Sequence, residues 1–492
     1  MGIKSIENTM LVKEKEQKIV EKIYEITGIR KEIIPKTHHD SIKHFRDYRI
    51  KKILLISSSY NYFQLEEEGR LSILFSKWAS FEHKEKPPDI VHVETAKEGI
   101  DRLKKEDFDF LILCIASWAE SPMVMAVARE FSYKPILLWG LGGYTRNGSL
   151  VSPASQAGTS GLREPFEAAG FKFKYIYDWP DSPMNLDKVE SFAKVAKTVR
   201  KLAHARVGMM GYGDMGLYVT MFDGFSLRSK IGPEVEVFDM LEIMQKMERL
   251  SKDDISCIVE RMKKEWKFQS EITDETLEKV AKIYLAFKER IKEGGYEAIS
   301  IKCVDGMKKY MNFPPCMILT LLADEVTAIC EDDALSAVNQ LMIKYLTGQP
   351  APYVEIYEFM KDRILTGVCG FVPPGVIEGP ICVTGYGGWG GLSTGIMNVS
   401  KMKTGRVTIS KLFSRGDQYK MHIVTGEALT PRKWEELGWN PPAPRFPSIE
   451  IVPDIPVEEF AQKVASQHYI VAYGDQREKI EDLCKILSID LV

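Results

Sequence analysis

The chain has 492 residues, of which 45% are apolar and 27% charged, with a formal net charge of −3. This length exceeds what one hydrophobic core holds and predicts two or three domains, and the balanced charge excludes an electrostatic basis for binding nucleic acid or an anionic membrane surface. The sequence has neither a leader with an apolar core nor an apolar run near the roughly 20 residues of a membrane helix, so we expect a cytoplasmic protein. The eight cysteines are scattered without Cys-x-x-Cys spacing, which indicates free thiols.

The first 204 residues predict an α/β domain that follows an amphipathic helix and linking chain at 8–48. Apolar runs alternate with helical patterns there, which is typical of a parallel, doubly wound sheet. The predicted strands are 53–58, 90–93, 108–115, 135–139 and 171–177, and the predicted helices are 66–83, 95–105, 122–131 and 185–205. Trp118 follows the third strand, where it either lines a ligand site or is a half-buried packing residue.

Residues 205–350 predict a second doubly wound, Rossmann-like domain. A strand over 205–210 leads into Gly211, Gly213 and Gly216, whose spacing matches the dinucleotide-binding fingerprint. The segment 217–222 is too short for the helix whose N-terminus would bind a pyrophosphate. A nucleotide-dependent oxidoreductase is therefore kept only as an alternative.

The second domain carries acids at the ends of two predicted strands. Asp305 follows the strand predicted at 298–304, and the acidic run 331–333 (Glu-Asp-Asp) lies between a strand at 326–329 and a helix. One acid is enough to cap a helix, which is the simpler explanation of the run. Clustered carboxylates also repel one another unless a cation joins them, and oxygen ligands favour Mg²⁺, Mn²⁺ or Ca²⁺, so a divalent metal site is the other explanation.

Residues 351–492 predict a mainly antiparallel, barrel-like β domain. Glycine and proline are frequent over 367–395, and short alternating strands follow at 406–411 and 420–424. A single histidine, His468, precedes a strand near the end of the chain, and such a residue is more often structural. Because its domain directly follows the acidic one, a site shared between the two domains is the alternative, and imidazole with carboxylates would suit Mn²⁺ or Co²⁺ better than Ca²⁺.

Several short segments resemble the L-fucose isomerase and L-arabinose isomerase superfamily, especially its fucose-isomerase-like members. The segment 331–348 is similar to the family segment that carries a metal-binding acid and ends in Leu-Thr-Gly. The other similar segments are Trp118 with Glu120, 135–140, Met215 with Gly216, 236–242 and 466–468. Their common order along residues 110–480 carries the resemblance.

The resemblance implies a metal centre and an active site shared between subunits. Position by position, Asp333 and His468 are similar to metal ligands, with Glu331 beside them. Trp118 resembles a wall residue that a neighbouring subunit contributes in the family. The residues expected to contact the substrate are Trp118, Met215, Lys302 and Tyr469.

The chain departs from the family pattern at the second acid, which in the family is a metal ligand and the base for proton transfer. The matching spacing here falls on Lys308 and Lys309, with Asp305 the nearest carboxylate. A second departure is 368–370 (Val-Cys-Gly), where many relatives have a His-Cys pair. We therefore expect Asp305 or Glu331 to transfer the proton, and the predicted catalytic residues are Asp305, Glu331 and Asp333.

The sequence thus predicts a metal-dependent aldose–ketose isomerase, an intramolecular oxidoreductase that moves a proton between C1 and C2 of a pentose or hexose of the fucose or arabinose type through an enediolate. The expected cofactor is Mn²⁺, with Co²⁺ or Mg²⁺ as alternatives. The expected partners are a small sugar and further copies of the chain, in a trimer or hexamer. A non-catalytic sugar-binding or regulatory protein with the same fold is the alternative function.

Overall fold

The computed structural model describes residues 52–56, 89–115, 118–387, 394–432 and 447–492. The helices predicted at 8–48 and 66–83 lie outside these residues. The chain divides into two compact units, Met1–Gly99 and Ile100–Val492. In the first unit, β1 (Lys52–Ile56) and β2 (Asp89–Val93) pair in parallel, with Lys52 opposite Asp89, and helix α1 (Ala96–Leu103) follows.

The second unit begins with a parallel sheet of three strands. Its elements are β3 (Leu111–Ile115), α2 (Ser121–Glu130), β4 (Ile136–Gly140), the hairpin of β5 (Tyr144–Arg146) and β6 (Ser149–Val151), α3 (Ser155–Ala168), β7 (Phe173–Tyr177) and α4 (Leu186–His204). The strands lie in the order β3-β4-β7. Helix α3 is not predicted, because Gly158, Gly161 and Pro165 give it weak helix propensity. Burial of Leu162 and Phe166 against the sheet compensates for that weakness.

A second parallel sheet follows and carries the acidic run. The elements of this region are β8 (Arg206–Met210), α5 (Gly224–Lys230), β9 (Glu234–Phe238), α6 (Met240–Met247), α7 (Lys252–Glu265), β10 (Trp266–Phe268), α8 (Asp274–Gly294), β11 (Ala298–Ile301), α9 (Cys316–Leu322), β12 (Thr327–Cys330) and α10 (Ala334–Thr347). The strand order is β12-β11-β8-β9, all parallel. Ser251 and Thr273 cap α7 and α8 by accepting backbone N–H bonds.

The strand predicted over 298–304 is shorter than expected, because β11 ends at Ile301 and a π-helical segment, Cys303–Met311, follows. The carboxylate of Asp214 accepts the backbone N–H groups of Cys303 and Val304 at 2.8 Å and of Asp305 at 2.7 Å. These bonds satisfy donors at the start of the segment that otherwise have no partner within it. The predicted end of the strand was wrong because this cap lies about ninety positions away in the sequence.

The last region contains a closed antiparallel barrel. Its elements are β13 (Tyr353–Phe359), β14 (Ile364–Gly367), β15 (Ile381–Gly385), β16 (Ile396–Asn398), β17 (Gly405–Arg415), β18 (Gln418–Leu429), β19 (Ser448–Pro453), α11 (Val457–Lys463), β20 (His468–Tyr473), α12 (Arg477–Leu487) and β21 (Asp490–Leu491). The order β17-β20-β13-β14-β19-β18 closes because β18 pairs back with β17. Strands β15 and β16 instead form a sheet with β10.

Alternation along the barrel strands decides which side chains reach its outer surface. Val354, Tyr469 and Val471 belong to the apolar core inside the barrel. Because successive side chains point to opposite faces, the positions adjacent to Val354 and Tyr469, which are Glu355 and His468, face outward. These two residues are cross-strand partners on β13 and β20.

The predicted combination of parallel α/β layers and an antiparallel, barrel-like C-terminal region is confirmed. The doubly wound, Rossmann-like character of the first two domains and the domain bounds 1–204, 205–350 and 351–492 stay predictions. None of the described helices is long and apolar enough to cross a bilayer. The cytoplasmic location also stays a prediction.

Candidate active site

The acidic run forms a tight corner between β12 and α10. Glu331 and Asp332 both have left-handed backbones, with φ of 63° and 51°. Non-glycine residues in this region cost on the order of 1 kcal/mol or more each, and such strain is concentrated at functional sites. The corner therefore holds its acids in an orientation that an ordinary strand-to-helix turn would not produce.

Asp333 caps α10, as the simpler explanation of the acidic run expects. Its Oδ1 accepts the backbone N–H of Ser336 at 2.9 Å, and its Oδ2 accepts the hydroxyl of Ser336 at 2.7 Å. The same Oδ2 also accepts the ammonium of Lys411 at 2.6 Å and the ring Nδ1 of His468 at 2.9 Å. Asp333, Lys411 and His468 are all fully buried.

The hydrogen bonds to Asp333 fix its charge. Burial raises the pKa of this carboxyl, but the charge of Lys411 and the bond from His468 outweigh it and hold the pKa well below its ordinary value. A carboxylate offers about two lone-pair sites on each oxygen, and three donors, from Ser336, Lys411 and His468, crowd Oδ2, whereas Oδ1 accepts the backbone N–H of Ser336. Asp333 is thus an ionised group whose Oδ2 is fully occupied and whose Oδ1 caps α10.

His468 connects Asp333 to Glu331. Its Nε2 lies 2.9 Å from Oε2 of Glu331, and its ring packs against Tyr353 with 4.8 Å between ring centroids. Burial disfavours the imidazolium, but hydrogen bonds to the two carboxylates outweigh burial and raise the pKa of His468 to about 9. A metal ion that binds Nε2 would have to displace a proton, so its affinity should rise with pH up to that value.

A second carboxylic acid lies beside this chain of hydrogen bonds, and sequence reasoning missed it. Glu355 on β13 is the cross-strand partner of His468 on β20. Burial, and then the charge of Glu331, raise the pKa of Glu355 to about 8. The signal was available, because a glutamate in the middle of the apolar strand Tyr353–Phe359 needs a specific environment.

Two buried thiols also lie close to the carboxylate of Glu331. A carboxylate oxygen of Glu331 and the sulfurs of Cys303 and Cys330 all lie within 4.8 Å of one another. All eight cysteines are free. Glu331 is therefore surrounded by a histidine, a second glutamate and two thiols, which is a donor set for a cation.

Asp332, the middle residue of the acidic run, does not join this group. It is buried, and neither carboxylate oxygen has a hydrogen-bond partner among the residues that the structure describes. Burial, and then the charge of Asp214, raise the pKa of Asp332 to about 8. It is therefore largely protonated at neutral pH.

The structure brings together Glu331, Asp333 and His468, but it places Asp305 and Tyr469 elsewhere. Asp305 accepts the backbone N–H of Met215 at 2.9 Å. The prediction that Tyr469 contacts the substrate does not fit its position, because its ring lies in the barrel core and its hydroxyl is 2.7 Å from Nδ1 of His422. The reason is alternation, since the residue after an outward-facing His468 must face inward.

The other predicted substrate contacts lie at carboxyl ends of the parallel strands. Trp118 follows β3 and is 62% exposed. Lys302 follows β11, and its ammonium donates to the carbonyl of Tyr212 at 3.3 Å. Met215 lies in the loop after β8, with a left-handed backbone. Their contact with a substrate stays a prediction.

The glycine loop at 211–216 has a structural role in this fold. No helix begins directly after Gly216, since only a short turn at Tyr218–Thr220 precedes the seven-residue α5. Asp214 within the loop caps the π-helical segment instead. The support that a pyrophosphate would need is missing here, so nothing favours the nucleotide-dependent alternative.

A buried imidazole held between ionisable carboxylates, at the carboxyl edge of a parallel sheet, is the arrangement of an acid–base enzyme. No protein-family model matches the chain. The chain is 20% identical over 413 residues to the sulfoquinovose isomerases of Priestia megaterium and Priestia aryabhattai, covering 82% of this chain and 89% of each relative. It is 19% identical over 392 residues to that of Alkalicoccus urumqiensis, covering 78% and 86%. The prediction of a sugar isomerase is confirmed at the level of enzyme class.

Proposed function

We propose that the protein is a metal-dependent aldose–ketose isomerase whose substrate is sulfoquinovose or a closely related 6-sulfonated hexose. The names of its relatives support the substrate class. The observation that carries the reaction type is the position of His468, bonded at one nitrogen to Glu331 and at the other to Asp333, with Glu355 on the neighbouring strand. We also propose that the chain is a distant member of the L-fucose and L-arabinose isomerase superfamily, supported by the order of the similar segments.

The residues around Glu331 fit a divalent metal in part. We reassign one of the predicted ligands, Asp333, to another role. Oδ2 of Asp333 already accepts three donors and Oδ1 caps α10, so we propose that Asp333 orients His468 as the carboxylate partner behind a metal-binding imidazole. Glu331 and Nε2 of His468 would hold the ion, and a carboxylate with an imidazole suits Mn²⁺ or Co²⁺. When bound, the ion would supply polarisation of the sugar carbonyl and stabilise negative charge on O1 and O2.

Proton transfer is assigned to Glu355 in place of Asp305 or Glu331, between which the sequence left the choice open. In this reaction a carboxylate removes the proton from C2 of the aldose and, once protonated, returns it to C1, so its pKa should lie near neutrality. Burial and the neighbouring charge of Glu331 place Glu355 in that range. The carboxylate of Asp305 is bonded to the backbone of the 211–216 loop and is not bonded to the group around His468.

We propose that the predicted homo-oligomer forms through the loop and helix at 212–225. Tyr218 is 90% exposed and Phe225 is 83% exposed, and Tyr212, Met215 and Met221 in the same segment are also exposed. A short segment that exposes several large apolar side chains is typical of a protein interface. Light scattering is expected to show a trimer or hexamer, and Phe225→Glu to shift it toward the monomer. The control Tyr133→Glu, at an exposed aromatic outside this segment, should leave the mass unchanged; a monomeric native protein would contradict the proposal.

Isomerisation of sulfoquinovose in D₂O tests the proposed reaction. Protein treated with a chelator should be inactive, and Mn²⁺ or Co²⁺ should restore formation of the 6-sulfonated ketose, followed by NMR. Transfer through a side-chain acid exchanges the proton with solvent, so the ketose should carry deuterium at C1. L-Fucose and L-arabinose serve as comparison substrates and should turn over more slowly. Sugar binding without turnover in the presence of each ion would instead support the non-catalytic alternative.

A further inference from the structure

Lys308 is a buried ammonium in the π-helical segment Cys303–Met311. Its side chain is 5% exposed, whereas the next residue, Lys309, is exposed. Among the residues that the structure describes, its Nζ makes no hydrogen bond of ordinary geometry, and its interaction with the side chain of Tyr386 is weak. Lysine is rarely buried without a partner, because removing its charge from water is costly.

The surroundings of Lys308 keep it charged without neutralising it. Its Nζ lies 5.4 Å from the ring centroid of Tyr386, an arrangement that favours a cation over an aromatic face. Burial lowers the pKa of Lys308, but the neighbouring thiols, Cys369 first, outweigh burial and raise it. Sulfur is a weak hydrogen-bond acceptor, even in Cys369, whose pKa is lowered to about 7 by its hydrogen bond with Cys316 and by the charge of Lys308, so the ammonium can still donate to a stronger acceptor.

Lys308 belongs to the same buried region as the acid–base group. It lies one π-helical turn after Cys303, whose sulfur is within 4.8 Å of a carboxylate oxygen of Glu331, and its charge acts on the carboxyl of Glu355. Glu355 is in turn the cross-strand partner of His468. If the reacting end of a ligand lies at Glu355, the ammonium of Lys308 is therefore a fixed positive charge that can act on the other end of that ligand.

We propose that Lys308 is the anion subsite of this active site and that it binds the sulfonate of the substrate. This inference rests on the proposed function, which places C1 and C2 at Glu355 and Glu331. Sulfoquinovose carries its one negative charge at C6, the opposite end of the sugar, and a sulfonate oxygen can accept the unused N–H donors of Lys308. A neutral hexose would leave the ammonium unpaired, so the subsite selects a charged sugar.

Binding measured by calorimetry on the metal-loaded full chain tests the subsite, with sulfoquinovose and its uncharged counterpart 6-deoxyglucose as ligands. The Lys308→Met variant is expected to bind sulfoquinovose about 30-fold or more weakly and to bind 6-deoxyglucose as the native protein does. Lys308→Arg should retain most of the preference for the sulfonate. Lys309→Met, at the adjacent exposed lysine, should change neither affinity.

Thermal unfolding separates a binding role from a structural one. Because Lys308 makes no hydrogen bond of ordinary geometry with the described part of the chain, Lys308→Met without sugar should unfold at the same or a higher temperature than the native protein. Equal weakening for both sugars, no weakening for sulfoquinovose, or a native protein that binds neither sugar would overturn the subsite. A native protein that isomerises sulfoquinovose at a rate that Lys308→Met does not change would overturn the subsite alone. Binding of sulfoquinovose that depends on Lys308, without turnover, would overturn the proposed reaction alone.

Discussion

Replacing Asp333 by alanine is expected to destabilise the protein by about 3–5 kcal/mol, because it leaves a buried charge without its partner. Lys411 is fully buried, and its ammonium is bonded to Asp333 and to the hydroxyl of Ser336. Removing the carboxylate also removes the cap of α10 and the partner of Nδ1 of His468. Urea unfolding followed by circular dichroism measures the loss.

The double variant Asp333→Ala with Lys411→Met is the control for this prediction. It removes the unpaired ammonium while keeping an apolar chain of similar length, so it should recover about 2 kcal/mol or more of the loss. It should not recover activity, since His468 remains without its orienting carboxylate. If the single and double variants are equally stable, the ion pair does not contribute as described.

Replacing Glu355 by glutamine is expected to reduce turnover by about 10³-fold while leaving the fold and the sugar affinity close to native values. Glutamine keeps the shape of the side chain and removes its capacity to accept and return a proton, and general acid–base catalysis contributes about 10²–10⁴-fold. Turnover numbers from initial rates, together with calorimetric sugar binding, measure the two effects separately.

Glu358→Gln and Asp305→Asn are the matched controls. Glu358 is an exposed acid on the same strand, and Asp305 is one of the two acids, with Glu331, that the sequence predicted for proton transfer. Both should retain most of the activity, and a larger loss for Asp305→Asn than for Glu355→Gln would return the assignment to Asp305.

The pH profile gives a second test of Glu355. Its pKa is raised to about 8, so the ionised fraction that can accept the proton rises tenfold per pH unit below that value. The value of kcat/KM should therefore rise with pH to a plateau at or below about pH 8, because a bound cation lowers the pKa.

The sequence allowed much of the fold and part of the site to be predicted. Strands such as 136–140 are short continuous apolar runs, and the run 406–411 in a barrel strand alternates between apolar and polar residues, so their types follow from periodicity. The convergence of Glu331, Asp333 and His468 followed from the resemblance, since more than a hundred positions separate the acids from the histidine.

What the sequence did not reveal depends on partners brought together by the fold. Lys411 gives no local sign that it neutralises Asp333, and Asp214 gives none that it caps the segment after β11. Without Lys411, Asp333 looks like a free ligand for a metal. Tyr469 is different, because strict alternation from His468 already places it on the opposite face of the barrel strand.

The residues of this site come from two parts of the fold, the parallel sheet and the barrel, and the site exists only where the two parts are in contact. Glu331 and Asp333 come from the corner after β12, whereas Lys411, His468 and Glu355 come from three strands of the barrel. Neither half can hold a working set of groups alone. A fluctuation that parts the two surfaces would hydrate an imidazolium and an ammonium together, so catalytic competence and cohesion between the two halves should be gained and lost as one event.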